Sequence, residues 1–236
     1  QYRDLIPSRL GGSIIASHIR IPNGGAVPDM VHFHSVGFQL IYCYKGWVDL
    51  VYEDQGPPFR LHAGNCVIQP PEIRHRVLFA SNNIEVIEIG VPAEHITTID
   101  HDMDLPTAEL KPEREFSGQK FVHCQAHDAE WQPYRLPGFL GRDTSISHNT
   151  QAVADVQLVK LGDGAPVWVT HNSDIHFTFV LEGSLILEGA DQLAQHLVAG
   201  DAFVIPPGMK FCYQSPSQDI SLLEVSLPGD FEIETV

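Results

Sequence analysis

The sequence HFHSVGFQLIYCYKG at residues 32–46 carries the pattern that decides the fold. It opens on two histidines, His32 and His34, separated by one residue, and it ends in a Lys-Gly turn signal. A second stretch, GNCVIQPPEIRH at residues 64–75, ends at His75. Because residues two apart on a β-strand project to the same face, His32 and His34 are predicted to point together into one interior.

The same frame occurs a second time, in altered form, further along the chain. It reads HNSDIHFTFVLEG at residues 171–183 and GDAFVIPPGMKF at residues 200–211. Corresponding landmarks are offset by 136 to 139 residues, which predicts a duplicated fold. In this alignment Ser173 and Phe211 stand where the first copy has histidines. We therefore predict one complete site and one degraded site.

The remainder of the chain is rich in short strand signals. Runs such as WVDLVY at 47–52 and IEVIEI at 84–89 combine β-branched and aromatic residues, and Gly, Pro and Asn turn signals separate them. Many short strands at even spacing are typical of a sandwich or barrel. The segment between the two copies is polar and contains prolines, which indicates a linker or a strap over one barrel. The predicted organisation is a first domain at 1–97, a linker or strap at 98–130 and a second domain at 131–236.

The composition is that of a globular protein and argues against several kinds of partner. The chain has 236 residues, 43% of them hydrophobic, with 19 Gly and 17 Pro, as expected of a globular, turn-rich protein. A formal net charge of −16 argues against nucleic acid and anionic membranes as partners. No apolar stretch approaches the roughly 18–20 residues of a membrane span, and no secretory signal is recognisable. The four cysteines form no C-x-x-C pair, so we expect free thiols and a cytoplasmic location.

These motifs resemble those of the cupin superfamily, and their duplication resembles a bicupin. The family's two motifs fall on His32, His34, Gln39 and Gly46, and then on Gly64, Pro70, Glu72 and His75. Two positions depart from the family pattern: Gln39 stands where a glutamate is usual, and Glu72 stands where a glycine is usual. The resemblance implies an all-β chain of two tandem cupin (jelly-roll) β-barrels, with a metal site in the first.

The candidate metal ligands are His32, His34, His75 and Gln39, around one divalent ion. Imidazole suits several first-row metals; Fe²⁺ is favoured, while Zn²⁺, Ni²⁺ and Mn²⁺ are alternatives. Gln39 is also the candidate catalytic residue. Its neutral amide would either complete the coordination shell or hydrogen-bond a bound water, and either role leaves positions for substrate and oxygen.

Three functions are compatible with such a site. The first is an Fe(II) dioxygenase that acts on a small oxygen-bearing organic substrate in the first barrel. The second is a Zn- or Ni-dependent isomerase or lyase, in which the ion polarises a carbonyl group. The third is a non-enzymatic protein that binds a sugar or an organic acid. In each case the partner is a small molecule, and exposed edge strands favour a homodimer.

Overall fold

The computed structural model describes residues 1–127 and 129–236, which divide into two compact units, Gln1–Ala126 and His127–Val236. Each unit is built from antiparallel sheets, and the described helices are a 3-10 helix at Arg9–Gly12 and a single α-helical turn, α1 (Ile146–Asn149). The predicted all-β, tandem jelly-roll architecture is confirmed. No helix in the described ranges has the length and apolar character needed to cross a membrane.

The first unit contains fourteen strands. They are β1 (Tyr2–Asp4), β2 (Ile15–Ile21), β3 (Gly25–Ala26), β4 (His32–Ser35), β5 (Phe38–Lys45), β6 (Trp47–Tyr52), β7 (Phe59–His62), β8 (Cys66–Ile68), β9 (His75–Ala80), β10 (Ile84–Val91), β11 (Ile96–Ile99), β12 (Glu115–Phe116), β13 (Gln119–Lys120) and β14 (Val122–Cys124). One sheet has the order β1-β2-β10-β5-β8-β14, and the other has the order β11-β4-β9-β6-β7, with β3 also paired to β9. β12 and β13 form a separate hairpin.

The second unit repeats this plan, with eleven strands among its described residues. They are β15 (Gln132–Pro133), β16 (Phe139–Asp143), β17 (Asp155–Leu161), β18 (Val169–His171), β19 (Ile175–Glu182), β20 (Ser184–Gly189), β21 (Gln195–Val198), β22 (Ala202–Val204), β23 (Phe211–Gln214), β24 (Ser221–Leu227) and β25 (Ile233–Thr235). Its sheets have the orders β15-β16-β17-β24-β19-β22 and β21-β20-β23-β18-β25. Aliphatic and aromatic side chains from both sheets form its core.

The turn between two long strands shows how closely the two units correspond. Gly46 and Gly183 follow β5 and β19, with φ values of 77° and 73°. A Cβ at either glycine would lie 2.3 Å from a serine hydroxyl, that of Ser81 or of Ser217. In both units that hydroxyl accepts a hydrogen bond of 2.9 Å from the N–H of the residue after the glycine. Glycine is therefore required at this turn for its backbone conformation and for space.

Strand register corrects the alignment of the two copies. In the first unit His32 of β4 pairs with His75 of β9, whereas in the second unit Val169 of β18 pairs with Phe211 of β23. Val169 is thus the structural counterpart of His32. The expectation that Ser173 replaces a histidine of the first copy was wrong, because the sequence alignment placed this strand two residues out of register.

Backbone hydrogen bonds give the same correspondence for the next histidine. The N–H of Glu72 donates to the carbonyl oxygen of His34 at 3.0 Å, and the N–H of Gly208 donates to that of His171 at 2.8 Å. His171 therefore corresponds to His34. The second copy retains this histidine and has lost the other two of the triad, to Val169 and Phe211.

The segment predicted as a linker or strap, 98–130, belongs largely to the first unit. β11 pairs with β4, and β14 pairs with β8. Arg114 adds ion pairs to Glu53 at 2.6 Å and to Asp54 at 2.7 Å. The boundary between the units lies at 126/127, not at residues 97 and 131 as predicted, since strand pairing ties the segment to the first sheets. Residue 128 lies outside the described residues.

Candidate metal centre

Three histidines of the first unit converge on one point between its sheets. His32 and His34 lie on β4, and His75 is the first residue of the adjacent β9. Their ring centroids are 4.3 Å apart for His32 and His75, 5.0 Å for His34 and His75, and 5.1 Å for His32 and His34. One nitrogen from each ring lies within 4.8 Å of the others. Among the described residues this is the only such group of His, Cys, Asp or Glu.

Each ring has its Nδ1 beside a hydrogen-bonding partner outside the triad. Nδ1 of His32 lies 2.8 Å from the carbonyl oxygen of Met30, and Nδ1 of His75 lies 3.0 Å from that of Ile73. Because a carbonyl only accepts, both Nδ1 atoms must carry the proton. Nδ1 of His34 lies 3.0 Å from the hydroxyl oxygen of Thr97. For His32 and His75 these contacts fix the tautomer in which Nε2 is an unprotonated electron-pair donor, and metal-binding histidines are usually held in this way.

The surroundings also keep two of the rings, those of His34 and His75, neutral. Burial, together with the neighbouring His75, His95 and His32, lowers the pKa of His34 to about 2. Burial and His32 lower the pKa of His75 to about 3, although the bond to Ile73 opposes this shift. A metal binds the neutral imidazole, so the protein holds the rings in their ligand form.

The donor set therefore fits a divalent ion. Imidazole–metal bonds are about 2.0–2.1 Å long, and three nitrogens within 4.8 Å of one another describe a site for a single ion. Three neutral ligands leave the full charge of such an ion uncompensated by the protein and leave further coordination positions open. His32, His34 and His75 are the residues that would hold the ion.

A cavity of about 520 Å³ opens beside the triad. Its walls come from both sheets of the first unit and are mostly aliphatic, including Ile41, Val48, Leu50 and Val86. The three histidines form part of the same lining. The arrangement is that of a small-molecule site, with a few convergent polar groups in an apolar chamber.

In the second unit, aromatic rings occupy the corresponding space. Phe211 pairs where His75 lies in the first unit, and Tyr213 is paired with Leu187 in the way that Val77 is paired with Leu50. The rings of Phe211 and Tyr213 are 5.5 Å apart and both residues are 1% exposed. The second interior is thus packed where the first is open.

His171 and His176 of the second unit differ from the triad in their hydrogen-bond partners. The backbone N–H of Ser173 donates to Nδ1 of His171 at 3.2 Å, so Nδ1 must be the acceptor and Nε2 must carry the proton. This is the opposite tautomer to that of His75. His176, whose ring lies 4.7 Å from that of His171, is buried and has its Nδ1 2.8 Å from the hydroxyl of Ser226. The pair is a hydrogen-bonded element of the core.

Known proteins share this architecture. The family model for the Cupin domain matches residues 156–226. A salicylate 1,2-dioxygenase from Pseudaminobacter salicylatoxidans is similar in structure, with a TM-score of 0.70, 15% identity, and 95% of this chain and 75% of that chain covered. Oxalate decarboxylase from Bacillus subtilis is also similar, with a TM-score of 0.68, 13% identity and coverage of 100% and 73%. No curated protein matches the sequence.

The fold is therefore that of two tandem cupin barrels. The family model falls in the second cupin unit, although the complete histidine triad lies in the first. The matched residues run from β17 to β24, which form the packed barrel. The match to the family model therefore supports the fold and not the site, because the histidine triad lies outside the matched residues.

The structure places Gln39 beside the triad but gives it other partners. Its Nε2 donates to Oε1 of Glu88 at 2.8 Å and lies 3.4 Å from Nε2 of His95. His95 in turn packs edge-on against His34, with centroids 4.2 Å apart. The Oε1 of Gln39 is buried and has no hydrogen-bond partner. Gln39 as a fourth ligand or catalytic residue stays a prediction, and its amide oxygen is the atom that could serve.

Two residues near the triad were missed by the sequence analysis. His95 follows β10 and has no spacing relationship to the other histidines, so no motif could have identified it. Thr97 lies on β11, within the run Ile96–Ile99. All four residues of that run are β-branched, which is a strand signal. The run lies within a segment that is otherwise polar, so no strand was predicted there.

Proposed function

We propose that the first unit of this bicupin is an Fe(II)-dependent dioxygenase that acts on a small, oxygen-bearing organic substrate. The observation that carries the proposal is the convergence of three neutral imidazoles whose outer nitrogens are held by Met30, Thr97 and Ile73. The open apolar cavity beside them supports a substrate site. Similarity to a salicylate 1,2-dioxygenase supports the reaction class through the fold.

The protein's own contribution would be to bind, orient and exclude water. His32, His34 and His75 would hold the ion, and bound Fe(II) would supply the one-electron chemistry that allows dioxygen to react with an organic molecule. The aliphatic walls would hold the substrate against the triad and keep bulk water away. The pair formed by Gln39 and Glu88 would fix the amide at the edge of the site.

Metal content and oxygen uptake test this proposal. Protein purified without chelators and reconstituted anaerobically with Fe(II) is expected to hold one ion per chain, and to consume oxygen with a substrate that fits the cavity. His75→Ala is expected to lose the ion. His171→Ala, a matched change in the packed unit, is expected to keep it. A protein that holds no ion after reconstitution with Fe(II), Mn(II), Ni(II) or Zn(II) would contradict the proposal.

A metal-dependent isomerase or lyase is the second candidate. Three neutral imidazoles also suit Zn(II) and Ni(II), which polarise carbonyl groups without redox chemistry. A similar fold occurs in oxalate decarboxylase, a protein described with Mn(II) centres. Turnover under strict anaerobiosis would favour this candidate. Homodimerisation and a cytoplasmic location remain predictions, and light scattering of the purified protein tests the first.

A further inference from the structure

We propose that the cavity beside the triad selects substrates with an uncharged, apolar body and rejects molecules that carry a carboxylate away from the triad. The proposal rests on the proposed function and narrows it, since it concerns the substrate of the same site.

The walls offer mostly apolar surface to the body of a ligand. Aliphatic side chains from both sheets form much of the walls, among them Ile19, Ile41, Val86, Val48, Leu50 and Val77. A volume of about 520 Å³ suits a ligand of about one ring with short substituents. An apolar body is stabilised in such a chamber because its surface is removed from water.

The charges in the walls are all of one sign. The charged side chains among the described lining residues are Asp29 and Glu88, and no Lys or Arg lines the cavity. Each carboxylate already accepts hydrogen bonds: Asp29 accepts from the N–H of Val77 at 2.8 Å and from that of Met30 at 2.9 Å, and Glu88 accepts from Gln39 at 2.8 Å. A further carboxylate in this space would meet negative groups and hydrocarbon.

Gln69, Tyr52 and Thr97 add uncharged polar groups to the walls. The amide of Gln69 donates to the hydroxyl oxygen of Tyr52 at 2.9 Å, and Thr97 contacts His34. As ligands of a bound ion, the three histidines of the triad are neutral imidazoles and supply no charge of their own. An anionic group held here would therefore be buried without a counter-charge, which is costly.

The ion itself restricts where an anionic group is tolerated. A divalent ion held by neutral imidazoles carries positive charge, so it can hold an oxygen anion at the head of the substrate. That position is next to the triad. The discrimination therefore applies to the body of the molecule and not to its metal-binding oxygens.

Two matched probes test the inference. 4-Methylcatechol and protocatechuate carry the same pair of hydroxyl groups, with a methyl group or a carboxylate at the same ring position. Both are titrated by calorimetry into Zn(II)-loaded and metal-free protein in buffer of physiological ionic strength. We expect the methyl compound to bind the loaded protein at least about tenfold more tightly, because the carboxylate loses its hydration without gaining a partner. Equal or tighter binding of protocatechuate overturns the inference, and so does the failure of both to bind.

A pair of variants separates the cavity from the overall charge of the protein. Ile19→Arg adds a cation at a half-buried position of the wall, and Ile99→Arg adds the same charge on an exposed strand outside the cavity. Ile19→Arg is expected to reduce the preference for 4-methylcatechol over protocatechuate about tenfold, or to reverse it, because the arginine supplies the missing counter-charge. Ile99→Arg is expected to leave it unchanged. Equal effects of both overturn the inference. Ile41→Lys replaces Ile19→Arg if circular dichroism shows that the latter does not fold.

Oxygen uptake by the Fe(II)-loaded protein distinguishes the two proposals. If neither probe supports oxygen uptake but the binding preference holds, the dioxygenase proposal fails and the selectivity stands. If oxygen is consumed and protocatechuate is the better ligand, the selectivity fails and the reaction class stands.

Discussion

The backbone N–H of Glu72 donates to the carbonyl oxygen of His34 across 3.0 Å and so ties the turn before β9 to the strand that carries two of the three histidines. Glu72 makes this bond from the left-handed region, with φ of 64°. In the second unit Gly208, with φ of 76°, makes the equivalent bond to His171. A non-glycine residue in this conformation costs roughly 1–2 kcal/mol. In the first unit this bond therefore forms although the backbone at Glu72 is strained.

Glu72→Gly should therefore stabilise the protein. The side chain of Glu72 is exposed, so little contact is lost when it is removed. We expect the free energy of unfolding to rise by about 0.5–1 kcal/mol, since the added entropy of glycine in the unfolded chain offsets part of the relieved strain. Urea denaturation measures the change, and Glu72→Ala, which keeps the strain, is the control. A loss of stability in the glycine variant would show that the turn is not strained.

Thr97→Val should weaken metal binding although Thr97 is no ligand. The change removes the hydroxyl beside Nδ1 of His34 and keeps the shape of the side chain. Loss of such an outer partner typically costs about 10–100-fold in metal affinity. Competition with a chromophoric chelator measures the affinity. Thr98→Val, the same change at the next and exposed position of β11, is expected to leave it unaltered.

The duplicated fold could be predicted from the sequence because its signals are local. Turn glycines such as Gly46 and Gly183 are required by their own backbone conformation and by the serines they face. His32 and His34 were identified because alternation along one strand fixes their common direction. These features depend on neighbours in sequence, which a single chain displays directly.

Features that depend on pairing between distant segments could not be predicted. The alignment of His171 was two residues out of register because only the pairing of Val169 with Phe211 fixes it. His95 reaches the triad because of the path of the chain after β10, which no spacing records. The sequence left open whether 98–130 is a linker or a strap over one barrel, since that follows from the pairing of β11 and β14 with strands far away in sequence.

Glu224 should make the stability of the second unit depend on pH. It is 2% exposed and accepts hydrogen bonds from Tyr134 at 2.7 Å and from Tyr213 at 3.2 Å. Burial raises its pKa to about 7 from the usual 4.5, although the two tyrosines oppose the shift. Folding thus favours the protonated form. The corresponding stability is fully present below about pH 4.5 and is lost as the pH rises through about 7.

Glu224→Gln should remove this dependence. Relative to the variant, the wild-type protein is expected to lose on the order of 3 kcal/mol between pH 4.5 and pH 8. The difference between the two proteins is the quantity to follow, because histidines such as His176 titrate in the opposite sense over part of this range. Denaturation at several pH values measures it. Parallel curves for the two proteins would show that Glu224 is ionised in the folded state throughout.

Gln39→Glu should destabilise the metal-free protein, and the reason accounts for the departure from the family motif. The amide nitrogen of Gln39 donates to Glu88 at 2.8 Å, and Gln39 is 1% exposed. A glutamate here would bring two carboxylates together, so one would be protonated or both would repel. We expect a loss of about 1–3 kcal/mol at pH 8 and a smaller loss at pH 5, where one carboxyl can hold a proton.

The double variant Gln39→Glu with Glu88→Gln exchanges the two groups and tests this account. It places the amide donor on the other strand and restores one hydrogen bond between one carboxylate and one amide. If repulsion between carboxylates causes the loss, the exchange recovers most of the stability, and the double-mutant cycle gives a coupling energy of about 1 kcal/mol or more. If the loss persists in the exchanged protein, position 39 rejects a carboxylate for a reason other than Glu88, and the buried Oε1, which has no hydrogen-bond partner, becomes the deciding feature.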